Sequence, residues 1–298
     1  MRILSIQSSV AYGHVGNSAA AFPLQRLGHE VWPVLTVHFS NHTGYGQWQG
    51  PVLDPADVRA VLAGIEDLGV LGTADAVLTG YQGSPGVAAI VLDTVAKVRQ
   101  LNPRAVYCCD PVLGDIGTGF FVLPGLPALM RDEVLPQADM VTPNVFELAY
   151  LASDAVAPEG GQPPLDQFAD VSSLEAVQAA VERVRARGPR TVLVTSVEHS
   201  NIDGIAPDHI GMLGVDDTGS YLVTTPRLDA DVNGLGDVTA ALLLAHLSAG
   251  LPAAMEKVAG SVFAILKATV DAGSREIQLI TAQDEIAQPT MHFRVERL

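Results

Sequence analysis

Asp237 stands in a glycine-bearing turn, Asn233-Gly234-Leu235-Gly236-Asp237, that runs straight into an Ala- and Leu-rich segment reaching Ala249. Such a junction predicts a helix N-terminus, where backbone N–H groups lack partners and carry partial positive charge, and where Gly234 and Gly236 let an anion come close. That combination cradles a phosphate. An acidic group in the same turn would lie beside a transferring phosphoryl group, where it could orient an attacking hydroxyl and accept its proton. The same residues also suit a plain structural purpose, with Asp237 complementing the helix dipole and the glycines making the turn.

The elements that would position this turn are spread along the chain. Residues 3–7 (ILSIQ) predict a strand, followed by a loop and a helix beginning near Asn17, so Ser8 falls just past the strand's carboxyl end. In open α/β sheets ligands bind along that edge. The next apolar run, residues 31–37, leads into HFSNHTGYGQWQG at 38–50, which reads as a flap or edge hairpin covering a site. Its His38 and His42 have no third ligand nearby, so a metal centre there is not the expected reading. From residue 55, helices at 55–68 and 86–101 alternate with strands at 76–79 and 105–109, which implies a parallel sheet with helices on both faces. Tyr81 and Asp110 then share a rim with Ser8. Residues 114–121 (GDIGTGFF) form a candidate lid.

A strand at 139–142 ends in TPNVFE, where Asn144 and Glu147 have the spacing of a capping box. Glu147 equally suits holding Mg²⁺ or its waters together with Asp110, because Mg²⁺ on nucleotide phosphates takes only one or two carboxylates. Residues 153–171 are rich in Pro and Gly and read as a surface insertion. Ser172 and Glu175 suggest a second capping box, opening a helix to about Arg187. A strand at 191–195 follows, then two antiparallel strands within 208–225 turned at Asp216-Asp217-Thr218-Gly219. A helix at 252–272, a short one at 282–287 and an extended end at 292–295 complete the chain.

Composition narrows the function classes. The 298 residues suit a single α/β domain spanning 1–298, and the formal net charge of −16 repels nucleic acid and anionic membrane surfaces. An anionic substrate would need local help from N–H groups, a metal, or both. No run approaches a membrane span, and MRILSIQSSV is too short in its apolar part for a secretory leader, so a cytoplasmic location is expected. The adjacent Cys108 and Cys109 would point to opposite faces of a strand and suggest neither a disulfide framework nor a zinc site. The chain lacks GxxxxGK[ST], a GxGxxG after the first strand, and the HRD and DFG motifs.

The late glycine turn with its embedded Asp resembles the GxGD motif of the ribokinase superfamily. More narrowly, the chain resembles the pyridoxal kinase family from end to end, through IQSSVAYGHVGNSAAAFPLQRLG, FSNHTGYGQWQG, LTGYQGS, CDPVLGD, TPNVFELAYL, VLVTS and NGLGDVTAALLLAHL, in that order. The tail AQDEIAQP is similar to the bacterial form. The resemblance implies an α/β, ribokinase-like three-layer fold, with a mostly parallel central sheet flanked by helices and a small flap over the active site. It implies ATP-dependent phosphorylation of the 5′-hydroxyl of pyridoxal, with Mg²⁺, ATP as co-substrate, a monovalent cation such as K⁺ as a further candidate, and a homodimer.

Site residues carry over by motif. Asp237 would be the base, with Gly234 and Gly236 leaving room for the phosphoryl group. Ser8 would hydrogen-bond the pyridine ring, with Thr43 and Gly44 of the flap also on the substrate. Tyr81, Asp110, Thr142, Glu147 and Thr195 would face the ATP phosphates and their cations, with Asp110 and Glu147 toward the metal. Pro226, Arg227, Leu228 and Asp229 would line the nucleotide pocket. Two positions depart from the family pattern: Leu235 replaces a frequent Thr, leaving phosphate contact to backbone N–H groups, and Phe120-Phe121 stand where some relatives offer a Tyr hydroxyl. A hydroxymethylpyrimidine kinase and a non-catalytic pyridoxal phosphate carrier are the competing readings, although simple binding needs no base.

Overall fold

The computed structural model describes residues 1–158, 161–198, 202 and 205–298. In chain order its elements are β1 (Arg2–Val10), α1 (Asn17–Arg26), β2 (Glu30–Phe39), α2 (Pro55–Asp67), β3 (Ala76–Thr79), α3 (Pro85–Leu101) and β4 (Val106–Cys109). There follow β5 (Gly114–Asp115), β6 (Gly119–Phe120), α4 (Leu126–Leu129), β7 (Met140–Val141), α5 (Val145–Leu151) and α6 (Leu174–Arg185). The rest is β8 (Thr191–Glu198), β9 (His209–Asp216), β10 (Gly219–Pro226), α7 (Leu235–His246), α8 (Leu251–Asp271), α9 (Gln283–Ala287) and β11 (Val295–Arg297).

A nine-stranded sheet in the order β11-β10-β9-β8-β7-β4-β3-β1-β2 forms the middle layer. Strands β2, β1, β3, β4, β7 and β8 pair in parallel, and β8 through β11 pair antiparallel. Alternation along the parallel strands explains the two outer layers. Ile3, Leu78, Cys108, Met140 and Leu193 face one core, built with α1, α7 and α8. Their neighbours Leu4, Val77, Cys109, Val141 and Val192 face the other, built with α2, α3, α5 and α6. This is the three-layer α/β fold expected, with the antiparallel strands gathered at one edge.

Local chemistry sets the helix starts. Asp54 and Ser84 cap α2 and α3 through their side chains, and each is followed by a proline whose missing N–H costs nothing at that position. Helix α7 is apolar on all sides, with Val238 through Leu244 buried, because it is packed between the sheet, α1 and α8. The 41–50 segment folds back on β2 as a hairpin: Val37 and Val52 form an antiparallel bridge, and the Ser40 N–H donates to Gln49 O at 2.7 Å.

Two local expectations are corrected. Helix α6 is capped by Ser173, whose hydroxyl accepts the Ala176 N–H at 3.1 Å, so the Ser172–Glu175 box does not form and the helix stops at Arg185. Either serine could have supplied the oxygen, and the extended backbone falls on the second. The extended tail is a true strand, β11, three residues long and shifted toward the C-terminus to pair with β10. Within 153–171, Glu159 and Gly160 lie outside the described residues, while Phe168 packs among Phe120, Phe146 and Tyr150 with ring centroids 5.4–5.8 Å away. Among the described residues no helix is long and apolar enough to cross a membrane.

Candidate active site

Parallel strands end together, and their ends define the site. The Asp110 N–H donates to Thr79 O at 2.8 Å and the Thr142 N–H to Cys109 O at 3.2 Å, so β3, β4 and β7 deliver Gly80, Asp110 and Thr142 side by side. Thr142 Oγ1 donates to Asp110 Oδ1 at 2.9 Å. Above them lies the first turn of α7. Gly234, its cap, has φ +91, a left-handed backbone that glycine tolerates best, and a β-carbon there would collide with the carbonyl oxygen of His14. No side chain caps this helix, so its leading N–H groups remain available to an anion.

The turn reaches across to the strand ends. A β-carbon on Gly236 would stand 3.9 Å from Asp110 Oδ2, and one on Gly80 would stand 3.5 Å from Asp237 Oδ1. The backbone N–H of Gly16 faces Asp237 and, with the aspartate's own N–H, favours the ionised form, but burial outweighs both and lifts its pKa from 3.8 to about 6. Asp110 is driven well above the usual carboxylate range by burial first, then by the charges of Asp237 and Glu147, with the Thr142 hydroxyl opposing. Glu147 is pushed up to about 8 by burial, against the N–H groups of Leu113, Asn144 and Gly114.

Both readings of Glu147 can now be weighed geometrically. The capping box forms in full: Asn144 Oδ1 accepts the Glu147 N–H at 2.9 Å and Glu147 Oε2 accepts the Asn144 N–H at 2.9 Å. Glu147 Oε1 accepts the Leu113 N–H at 2.8 Å, so both oxygens are engaged by backbone and reach a cation best through its waters. Asp110 is different. It is 6 % exposed, has one hydroxyl donor, and faces two other carboxylates, an excess of negative charge that fits a hard divalent cation. Among the described residues no cluster of three or more His, Cys, Asp or Glu forms a self-sufficient metal cage. His42 instead caps the flap's 3₁₀ turn, its Nδ1 accepting the Gly44 N–H at 3.1 Å.

The other predicted residues lie on several elements. Ser8 is buried against the Gly16 turn, the turn whose N–H faces Asp237. Thr43 and Gly44 are exposed on the flap, and a β-carbon on Gly44 would approach Asn233 Nδ2 at 3.6 Å, so the flap stands beside the glycine turn. Tyr81 is half-buried, its carbonyl accepting from Thr36 Oγ1 at 2.7 Å, and burial raises its phenol pKa. Thr195 sits on β8, bridged to Asn144. Pro226, Arg227, Leu228 and Asp229 leave β10 at the sheet's antiparallel edge, where Arg227 Nη2 lies 3.5 Å from Glu198 Oε2 on β8.

Sequence reasoning missed two participants. Gly16 reads in the sequence only as a turn glycine, and the approach of its N–H to Asp237 depends on the packing of α1 against α7. Ser196 adopts φ +57 in a register break of β8 between Val194 and Val197, which bends the strand right after Thr195. A depression of about 230 Å³ beside α8 is lined by Lys267, Asp271 and Glu285, and by none of the residues named above.

A mostly parallel α/β sheet with a buried carboxylate just past a strand end, beneath a glycine-capped helix that carries a second, defines a ribokinase-like kinase. A family model described as phosphomethylpyrimidine kinase matches residues 53–276. The chain is 51 % identical over 304 residues to a pyridoxal kinase of Leifsonia xyli subsp. xyli, covering 100 % of both, and 52 % identical to one of Rubrobacter xylanophilus, covering 100 % of this chain and 98 % of the other. The structure superposes on the pyridoxal kinase of Leishmania donovani, solved with ADP and ginkgotoxin, with a TM-score of 0.88 at 30 % identity, covering 100 % and 99 % of the two chains. The chain belongs to the pyridoxal kinase family.

Proposed function

We propose that this chain transfers the γ-phosphoryl group of ATP to the 5′-hydroxyl of pyridoxal, producing pyridoxal 5′-phosphate in vitamin B6 salvage. The observation that carries the reading is Asp237: a buried carboxylate in the first turn of an uncapped helix, faced by the Gly16 N–H, with its pKa lifted to about 6. At pH 7 it is ionised yet basic enough to accept a proton from a primary alcohol as the hydroxyl attacks.

In this reading Asp237 aligns the hydroxyl, and the N–H groups around Gly234 and Gly236 receive the γ-phosphoryl oxygens without reorganising. Ser8, Thr43 and Gly44 hold the pyridine ring. Tyr81, Thr142, Thr195 and the Pro226–Asp229 stretch, including Arg227 and Leu228, hold ATP. Asp110 holds Mg²⁺, with Glu147 acting on its waters. Mg²⁺, when bound, supplies charge neutralisation on the phosphate oxygens. A monovalent cation such as K⁺, a homodimer and a cytoplasmic location belong to the same reading.

A second reading has its own support, because the matching family model is described by phosphomethylpyrimidine kinase. The 51 % and 52 % identities to pyridoxal kinases favour pyridoxal. The deciding experiment compares MgATP-dependent phosphorylation of pyridoxal with that of hydroxymethylpyrimidine. Preference for pyridoxal is expected; the reverse preference transfers the assignment to the pyrimidine, and ring binding without turnover on either indicates a carrier.

A further inference from the structure

Two loops beside the Asp237 turn, and the turn itself, meet at Glu276. Tyr45 Oη, on the flap, donates to Glu276 Oε1 at 2.7 Å. The His14 N–H, on the loop between β1 and α1, donates to Glu276 Oε2 at 3.1 Å. The Glu276 backbone forms a parallel bridge with Asn233, next to Gly234. Each carboxylate oxygen therefore serves a different loop, while the backbone serves the glycine turn.

Glu276 is itself immobilised. Its N–H donates to Ser274 Oγ at 3.0 Å, and its carbonyl accepts from Gln278 Nε2 at 3.0 Å. The chain at Gly13 passes so close that a side chain there would meet the carboxylate. The flap is otherwise held by ring contacts, Tyr12 edge-on to Tyr45 and Phe39 against Trp48, each pair with centroids 6.3 Å apart. Among the described residues, the Tyr45–Glu276 bond is the one hydrogen bond that ties residues 41–48 to a segment outside their own hairpin. The Arg275 guanidinium, 4.5 Å over the Tyr45 ring centroid, presses the same ring into place.

We infer that Glu276 is a positioning residue for the substrate, its carboxylate fixing the Thr43–Tyr45 turn and the His14 loop relative to Asp237. The inference rests on the proposed reading of the flap as a wall of the pyridoxal site. The His14 loop leads directly to Gly16, whose N–H faces Asp237, and its His14 carbonyl lies against Gly234, so one post sets both the cover over the ring and the frame around the base.

The test uses Trp48, which lies on the flap and becomes the sole tryptophan once Trp32 is replaced by Phe. In that background Tyr45→Phe, Glu276→Gln and the double variant are compared. Each single change is expected to lower Trp48 anisotropy and raise KM for pyridoxal about tenfold, as loss of one charge-assisted hydrogen bond does. KM for ATP and Tm should hold, and the double variant should match the stronger single, as two ends of one interaction must. Additive effects, or an unchanged pyridoxal KM in a chain whose parent phosphorylates pyridoxal, overturn the inference. A parent that does not phosphorylate pyridoxal overturns the underlying reading instead, and Trp48 anisotropy, which needs no substrate, still reports whether Glu276 holds the flap.

Discussion

Asn144 and Glu147 each satisfy the other's backbone N–H at 2.9 Å, and each also reaches the start of the β5–β6 hairpin. Asn144 Nδ2 donates to Gly114 O at 2.8 Å, and Glu147 Oε1 accepts from Leu113 N. A helix cap and an anchor of the β5–β6 hairpin are thus one structure, so damage to the cap should reach that hairpin and, in the proposed reading, the nucleotide.

Asn144→Ala removes the cap oxygen and the bond to Gly114 together. A loss of about 1–2 kcal/mol in unfolding free energy is expected, with a raised KM for ATP and a pyridoxal KM close to the parent's. Denaturant titration and steady-state kinetics check this; a change in stability alone would detach the cap from the hairpin.

Asp237→Asn keeps an oxygen for the Gly16 N–H but cannot take a proton. Turnover should fall by roughly 10²–10⁴-fold while ATP still binds, measured by isothermal titration. The fold should gain stability. Because burial holds the carboxyl pKa at about 6, above its ordinary 3.8, its contribution is fully present below 3.8 and is lost as pH rises through 6. A neutral Asn escapes that loss, so Tm at pH 8 should rise by roughly 2–5 °C. Undiminished turnover would remove Asp237 from the mechanism.

The same titration sets the acid side of the rate profile. kcat/KM for pyridoxal should fall with unit slope below about pH 6, since the free enzyme must present Asp237 ionised. A profile flat down to pH 5 would contradict a base so tuned.

Asp110 provides a metal test that needs no turnover. With the charges of Asp237 and Glu147 acting on the buried Asp110, Mg²⁺ should raise Tm of the parent by binding only the folded chain. Asp110→Asn should raise Tm without the ion and abolish the ion's increment, and EDTA should halt turnover. An undiminished Mg²⁺ increment in the variant would place the cation elsewhere.

Much of this was legible in residue order. Strand Ala76–Thr79 and the Asp216–Gly219 hairpin turn lie where alternation and turn chemistry put them, because both depend on immediate neighbours. The glycine turn and its Asp were legible for the same reason. What escaped was long-range. Tyr45 and Glu276 are separated by 231 residues, His14 and Glu276 by 262, and no periodicity links such positions. The break at Ser196 falls in the pairing of β8 with β9, beyond the residues that pair with β7, and Phe168 meets Phe120 of β6 and two rings of α5, Phe146 and Tyr150, so both depend on which elements come together.

Cys108 and Cys109 are neighbours in sequence but belong to different cores, one on each side of the sheet, and both are wholly enclosed. Burial also keeps the two thiols protonated at physiological pH. An alkylating reagent therefore has no purchase on the native chain, and no reductant is needed to keep it intact. The pair amounts to a two-channel clock: labelling of Cys108 times the opening of the layer behind α7, and labelling of Cys109 times the opening of the layer behind α3. Equal rates would mean that the sheet parts from both layers in a single event, and unequal rates would identify the side that lets go first.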